Sequence, residues 1–478
     1  MNSTDFSLRD QDTSDKQDIL STNQFNGNAL EEGKPKSRIP VLDGLRALAC
    51  LGVLSYHIIG EARLAGIWGR LQDIHTVTGM LAYVALTLAY AGDSGVILFF
   101  LLSGFLLFLP YAKALLFQSS WPSFSRYCLR RTFRILPGYY AALFLMILIF
   151  HPQFFYANRW PDLLLFLNFG MSHTLSQQLN GPFWTLAIEF QFYLLLPIIA
   201  WLFSLIVCRG TLHWRMLKLT GCLLAMVAWG LLTRYWGLFL ANTSKLDFVI
   251  PQRVSVALIP YLYSDTGKYY EVFAVGMLVA MVYTYTQYAP CAEAWQVRIR
   301  RLSPLLFTVG LALLFLLSLC YFYFSNINMD VYNYYKHYAE YISKYHIFTF
   351  LNSRVPIIIY SCWPLWQALG YAIGYGLCMV ALLYGSRRLK GPFEWSLLRW
   401  LASISFSFYM WHQPLLDVFR HVVLVNIRLQ GGWSPLMQYG AFWCWTLMFI
   451  VPVTAMLYRW VEKPGISLGE WLIRKFER

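Results

Sequence analysis

A permanent cation and a titratable ring stand at the two ends of one apolar segment, "RALACLGVLSYH", which runs from Arg46 to His57. A guanidinium binds anionic groups, and an imidazole takes up or releases a proton near neutral pH. On an α-helix, the separation of the two residues amounts to three turns and a rise of about 16.5 Å. The two side chains therefore share one helix face without touching. We expect them to mark a path through a protein interior, because ionisable groups inside apolar segments usually face a bundle interior or a cavity.

Simpler interpretations of this segment stay open. Arg46 could extend its charged end towards a membrane surface, and His57 could be a packed side chain with a local hydrogen bond. Asp43 lies three residues before Arg46 and could simply pair with it.

The composition predicts the elements that carry these residues. Of the 478 residues, 58% are hydrophobic and only 13% are charged, and a soluble protein carries about 25% charged residues. Apolar runs recur along almost the whole chain, which predicts an all-α, polytopic transmembrane helical bundle. Hydropathy places about ten spans near residues 40–60, 93–111, 135–152, 184–207, 216–240, 269–287, 303–324, 355–384, 397–419 and 437–458.

The distribution of basic residues predicts the orientation of these spans. With ten spans, 25 of the 38 Lys and Arg residues fall on the side that holds both termini. The positive-inside rule then places both termini in the cytoplasm and predicts a multi-pass protein of the plasma (inner) membrane. The net charge of +14 is explained by this topology, so we expect no nucleic acid as a partner.

Three regions are expected along the chain. Residues 1–38 are polar and nearly free of aromatics, which predicts a disordered cytoplasmic tail. Residues 39–462 form the membrane domain, and residues 463–478 form a short cytoplasmic or interfacial segment. The longest outer connections, 151–183 and 324–354, are rich in aromatics and amides that would suit a sugar-like ligand, although aromatic belts at the membrane interface predict the same composition.

Metal and cofactor chemistry has no signature in the sequence. The nine cysteines form no CxxC pair, and no His-rich metal spacing, P-loop or dinucleotide-binding loop is present. We therefore expect no metal and no permanently bound cofactor.

Five stretches together resemble the membrane acyltransferase 3 family, in the expected order and over roughly residues 39 to 460. The Arg46–His57 segment is the first of them. The others are "GVILFFLLSGFLL" (95–107), "RRTFRILPGYY" (130–140), "FWTLAIEFQFYLLLP" (183–197) and "SISFSFYMWHQPLL" (403–416). Two positions depart from the family pattern. The acid often found before Leu-Phe-Phe is Ile97 here, and the usual Glu-Glu pair is Glu189 followed by Phe190.

The resemblance implies transfer of an acyl group, most often acetyl, from a cytoplasmic acyl-coenzyme A to a hydroxyl of an extracytoplasmic carbohydrate or similar acceptor. A coenzyme A head is polyanionic, and Arg130, Arg131 and Arg134 could bind its phosphates, although the positive-inside rule also accounts for basic residues there. Ser103 and Gly104 could let the thioester arm pass close to the helix backbone. Packing of small residues between helices predicts the same two residues.

The resemblance also suggests catalytic roles. We expect His57 to act as general base towards the acceptor hydroxyl, and Arg46 to hold the donor or shape its tunnel. Glu189 could orient the His57 ring, or it could belong to a structural ion pair. Trp184 and His412 complete the candidate set, and a locally satisfied ring beside a proline kink at Pro414 is the alternative for His412.

Two other functions remain open at this point. A transporter or flippase of a lipid-linked or acylated substrate would also have about ten spans with ionisable residues near the membrane centre. A catalytically inactive relative could serve as a membrane scaffold, but the presence of Arg46, His57 and Glu189 disfavours it.

Overall fold

The computed structural model describes residues 39–62, 77–241, 251–264, 266–329, 354–425 and 435–476. The chain divides into two units, residues 1–39 and 40–478, and the description below concerns the second. Regular structure in the described ranges is helical. The predicted tail 1–38 and most of the predicted connection 324–354 lie outside the described residues.

The helices are numbered here in chain order. They are α1 Pro40–Glu61, α2 Val77–Tyr90, α3 Gly95–Phe117, α4 Phe124–Phe150, α5 Trp160–Leu167, α6 His173–Ser176, α7 Phe183–Val207, α8 Leu212–Tyr235, α9 Gln252–Leu262, α10 Tyr270–Tyr288, α11 Ala292–Met329, α12 Arg354–Tyr384, α13 Arg387–Lys390, α14 Ser396–Ser403, α15 Ser405–Val418, α16 Pro435–Trp445, α17 Val451–Leu457 and α18 Lys463–Phe476. Several of them continue through single turns of 3₁₀ or π geometry, such as Ala91–Ser94 before α3 and Tyr458–Glu462 before α18.

Eight helices in the described part of the chain are long and apolar enough to cross a membrane. This confirms an all-α, polytopic membrane bundle. They coincide with eight of the ten predicted spans, while the predicted spans 269–287 and 397–419 fall on α10 and on α14–α15, which do not meet that criterion. The total of ten spans and the position of the termini stay predictions.

Helix α3 lies at the centre of the bundle and packs against α1, α7, α10 and α12. Its sequence is almost entirely apolar, and most of its residues are buried. Close contact with α10 depends on Gly104, where an added Cβ would collide with the backbone of Phe273. A glycine at this position lets the two helix backbones approach, as small residues do between membrane helices.

Residues 463–476 continue the last apolar helix and do not form a separate unit. The helical run that includes α16 and α17 continues through a π turn into α18, and α18 packs against the first half of α4. Gly465 faces Pro137, and Gly469 faces Phe133. The predicted boundary at residue 463 therefore falls inside a continuous helix.

A buried ion pair joins α8 to α10. Nη2 of Arg234 lies 2.7 Å from Oε1 of Glu271, and both side chains are almost fully buried. A second guanidinium nitrogen donates to the carbonyl of Thr266, 2.8 Å away, and the guanidinium lies 4.7 Å from the centre of the Tyr269 ring. Every charged group here has a partner, which is the condition under which burial of a charge is tolerated.

We predict that Glu271→Gln lowers the stability of the bundle by about 1–3 kcal/mol, because a buried guanidinium then loses its charged acceptor. A thermal-shift measurement in detergent checks this. Glu293→Gln is the matched control, since Glu293 stands in the first turn of α11 and is exposed. Equal melting temperatures for the two variants would show that the ion pair contributes nothing to stability.

Candidate active site

Three arginines from two helices meet in one pocket. Arg46 of α1 and Arg131 and Arg134 of α4 line it together with Ser103 of α3 and Glu189 of α7. Arg46 lies close enough to Arg134 and Glu189 for their charges to interact. We call this the inner pocket, and its lining concentrates positive charge.

The three guanidinium groups of the inner pocket keep donors available for a ligand. None of them forms a salt bridge with a described residue, and no salt bridge joins Asp43 to Arg46. Arg131 lies over the ring of Tyr193, 5.8 Å from its centre. Planar guanidinium groups with free donors suit phosphate oxygens, which accept paired hydrogen bonds from them.

Glu189 belongs to this inner pocket. Its carboxylate accepts hydrogen bonds from the hydroxyls of Ser103 and Tyr193. The structure does not bring Glu189 to His57, because the two residues line different cavities. The expectation that Glu189 orients the His57 ring is therefore wrong. Glu189 lies near the start of α7 and lines the pocket that contains the arginines.

His57 lines a second and larger cavity of about 660 Å³, which we call the outer chamber. Trp184, Arg234 and Tyr269 also line it, together with the amide side chains of Gln177 and Gln413. Aromatic rings alternate with amide and charged groups around this space. Such a lining can pack against the face of a sugar ring and form hydrogen bonds to its hydroxyls.

His412, and not Glu189, is the ionisable side chain that the fold places next to His57. The centres of the two imidazole rings lie 5.1 Å apart. Nδ1 of His412 lies 2.8 Å from the carbonyl oxygen of Tyr409. Since a carbonyl only accepts, Nδ1 must carry the proton and donate it. Nε2 is then an acceptor, and it is buried without a partner in the described part of the protein.

The inner pocket and the outer chamber meet at two shared residues, Val96 of α3 and Tyr409 of α15. The hydroxyl of Tyr409 lies 2.8 Å from that of Thr185, which fixes its ring at the boundary. Arg46 and His57 lie on opposite sides of this boundary, on one unbroken helix. The two cavities thus lie one after the other along α1, as the spacing of Arg46 and His57 predicted.

Two predicted donor-binding residues lie outside the pocket. Arg130 is exposed and does not line it, because successive residues of a helix point in different directions. Gly104 is buried against Phe273 in the contact of α3 with α10. Gly104 thus lies in a helix–helix contact, and only Ser103 of that pair lines the pocket.

Sequence reasoning missed three polar groups that the fold brings into these cavities or close to their arginines. Tyr193 follows Glu189 by one helical turn, and this spacing could have revealed it. Glu462 is buried, accepts a hydrogen bond of 3.0 Å from Ser407 and lies near Arg134 and Arg46. In the sequence it stands among basic residues and looks like part of a charged tail. The third group, Asp93, lines the outer chamber.

Comparison with known proteins agrees with the five motifs. The model of the acyltransferase 3 family, which is described as an acyltransferase domain, matches residues 39–458 of this chain. The peptidoglycan O-acetyltransferase OatA of Listeria monocytogenes is 23% identical over 449 residues, which are 89% of this chain and 55% of that protein. The putative peptidoglycan O-acetyltransferase YrhL of Bacillus subtilis is 23% identical over 481 residues, covering 92% of this chain and 56% of the relative.

A third relative matches a shorter part of the chain at higher sequence identity. The acyltransferase MdmB of Streptomyces mycarofaciens is 32% identical over 169 residues, which are 34% of this chain and 39% of that protein. No solved structure matches the chain. The chain spans about half the length of the two peptidoglycan O-acetyltransferases that it matches. The family match covers most of the chain, and the chain therefore belongs to the acyltransferase 3 family of multi-pass membrane proteins.

Proposed function

We propose that the protein is an O-acyltransferase that moves an acyl group, most often acetyl, from a cytoplasmic acyl-coenzyme A to a hydroxyl of a carbohydrate on the other side of the membrane. One observation carries the proposal. A pocket with three arginines and a chamber with a histidine and aromatic rings meet at Val96 and Tyr409. The peptidoglycan acceptors named for two relatives support a carbohydrate acceptor.

The donor enters through the inner pocket in this proposal. The phosphates of coenzyme A bind the guanidinium groups of Arg46, Arg131 and Arg134, which have no salt-bridge partner among the described residues. The pantetheine arm then extends past Val96 towards the outer chamber. Ser103, Tyr193 and Glu189 form a hydrogen-bonded group beside this path.

The acceptor occupies the outer chamber, where His57 acts as general base. The imidazole takes the proton of the acceptor hydroxyl while the oxygen attacks the thioester carbonyl. Collapse of the tetrahedral intermediate breaks the carbon–sulfur bond, and His57 returns the proton to the leaving thiolate. The products are an ester on the acceptor and free coenzyme A.

His412 positions the base in this mechanism. Its Nδ1 proton is held by the Tyr409 carbonyl, so its Nε2 can accept a hydrogen bond from a protonated nitrogen of the His57 ring. That contact would fix the His57 tautomer and leave the other nitrogen free for the acceptor hydroxyl. Such a partner sets which nitrogen of a catalytic histidine carries the proton.

The test is an assay with purified protein, acetyl-coenzyme A labelled in its acetyl group and a carbohydrate-rich cell-envelope extract. We expect base-labile label in the carbohydrate fraction, and none with the His57→Ala variant. Label that crosses a vesicle membrane without covalent attachment would identify a transporter. Absence of both transfer and transport in a protein that still binds the donor would identify an inactive scaffold.

The proposed direction of transfer requires a definite orientation in the plasma membrane, with both termini and the inner pocket facing the cytoplasm. We predict that single cysteines placed at residues 20, 300 and 388 of a cysteine-free variant react only after the membrane is opened. A cysteine at residue 165 should react with an impermeant maleimide in intact cells. Labelling of 165 and 300 from the same side would contradict this orientation.

A further inference from the structure

Asp93 is a carboxylate of the outer chamber that takes no part in the proposed acyl transfer. It lies in the 3₁₀ turn Ala91–Ser94 that leads into α3. Its side chain lines the chamber that holds His57, and it is exposed. A carboxylate that is open to an internal space is available to a ligand in that space.

The fold fixes the position of this turn against α1. An added Cβ at Gly92 would collide with the backbone of Gly52, so the turn and the helix touch through their backbones. Ser94 reinforces the turn, since its hydroxyl donates to the carbonyl of Ala91 at 2.7 Å and lies 2.6 Å from the hydroxyl of Tyr375. Asp93 is therefore held beside the helix that carries Tyr56 and His57.

The charge of Asp93 is not compensated by the described side chains that line the chamber. Glu61 also lines it, but its carboxylate lies 2.8 Å from Arg420. Arg234 lines it too and is paired with Glu271 at 2.7 Å. Asp93 has no ion pair within the described part of the chain. Asp93 is thus a carboxylate of the described chamber lining that has no cationic partner there.

Three tyrosines lie near this carboxylate. The hydroxyl of Tyr321 is hydrogen-bonded to Asp93, and Tyr321 and Tyr56 also share a hydrogen bond. The ring of Tyr90 lies 5.5 Å from that of Tyr56 and 5.9 Å from that of Tyr321, measured between ring centres. All three tyrosines line the chamber. An ammonium group can pair with a carboxylate and also lie against an aromatic ring, because ring faces carry partial negative charge.

The sequence offers an independent reason to examine this position. Ile97 occupies the place where the family often has an acid, and it lines the same chamber. Asp93 stands four residues earlier, one helical turn away on the same face. Asp93 and Ile97 both line this chamber.

We propose that Asp93 and the rings of Tyr56, Tyr90 and Tyr321 bind a protonated amine of the acceptor, so that the enzyme selects amino sugars over neutral sugars. This inference rests on the proposed function, since it names the acceptor class of the same chamber. An ammonium group would neutralise Asp93 and lie against ring faces. A neutral hydroxyl at that position gains only a hydrogen bond, and an anionic group is repelled by the carboxylate.

The test measures binding without a donor, so that it is independent of acyl transfer. Purified protein is titrated with glucosamine and with glucose by calorimetry at neutral pH. The two sugars differ by an ammonium group in place of one hydroxyl. We expect glucosamine to bind about tenfold more tightly or better, as a charge-assisted contact implies. Asp93→Asn should remove this preference and leave glucose binding unchanged.

Two further variants keep the result interpretable. Asp93→Glu retains the charge, and it should retain part of the preference. Glu61→Gln removes a chamber carboxylate that is already paired, and it should leave the preference in place. Equal binding of the two sugars by the wild type, binding of neither, or a preference that survives in Asp93→Asn would overturn the inference. Acyl transfer in the separate assay would then still support the proposed function.

Discussion

His57→Ala should reduce acyl transfer by about 10²–10⁴ while donor binding stays close to that of the wild type. The expected loss is that of a positioned general base. Donor binding is spared because His57 lines the outer chamber, whereas the arginines line the inner pocket. The measurement is the transfer rate at several donor concentrations, together with donor affinity by calorimetry. The lost rate should not return at saturating donor.

The Arg46→Ala variant is the comparison for His57→Ala, because Arg46 lies on the same helix at the other end of the path. Its defect should ease as the donor concentration rises, since it removes a donor contact and not a proton acceptor. Arg46→Lys should recover little, because an ammonium cannot form the paired contacts of a guanidinium. Wild-type turnover of the His57→Ala variant would show that His57 is not the general base. Size-exclusion profiles distinguish these outcomes from misfolding.

Replacement of Arg131 and Arg134 by Ala should weaken acyl-coenzyme A binding by about a hundredfold or more. Each charge-assisted hydrogen bond contributes about 1.5–3 kcal/mol, and two are lost. The turnover at saturating donor should change much less than the affinity, because neither residue lines the chamber with His57. Calorimetric titration of the protein in detergent with acetyl-coenzyme A measures the effect.

The same helix provides a matched control for this double variant. Arg126 and Arg130 are exposed and lie outside the inner pocket, so replacing both removes the same charge from α4. This control should keep near-normal affinity at physiological salt, where exposed charges are screened over about 8 Å. Equal losses in the two double variants would show that the arginines act only through overall charge.

Much of the bundle could be predicted because its physical cause is local. Apolar stretches must form helices in lipid, where each backbone group needs an internal partner. The placement of Arg46 and His57 at two ends of a path follows from helix geometry alone, and the structure assigns them to different cavities. The family resemblance, based on five short motifs, is confirmed by a match over residues 39–458.

The errors concern contacts between distant segments. The role of Glu189 was inferred from its residue type, but its contact with Ser103 depends on how α7 packs against α3. His412 and His57 are neighbours only because α15 packs on α1. Phe190 replaces an expected acid and stacks on Phe169, with ring centres 4.2 Å apart. No spacing within one helix encodes such pairs.

The position of α10 has a consequence for biosynthesis. This helix of 19 residues is not among the eight that are apolar enough to cross a membrane. It packs against α3 and α8, and its Glu271 is buried against Arg234 of α8. These two partners precede α10 in the chain, whereas α11 and α12, which also pack against it, follow it. The carboxylate of Glu271 would be costly in lipid without its partner. Arg234 is therefore already synthesised when Glu271 emerges from the ribosome, and the order of synthesis favours formation of this ion pair before the later helices complete the bundle.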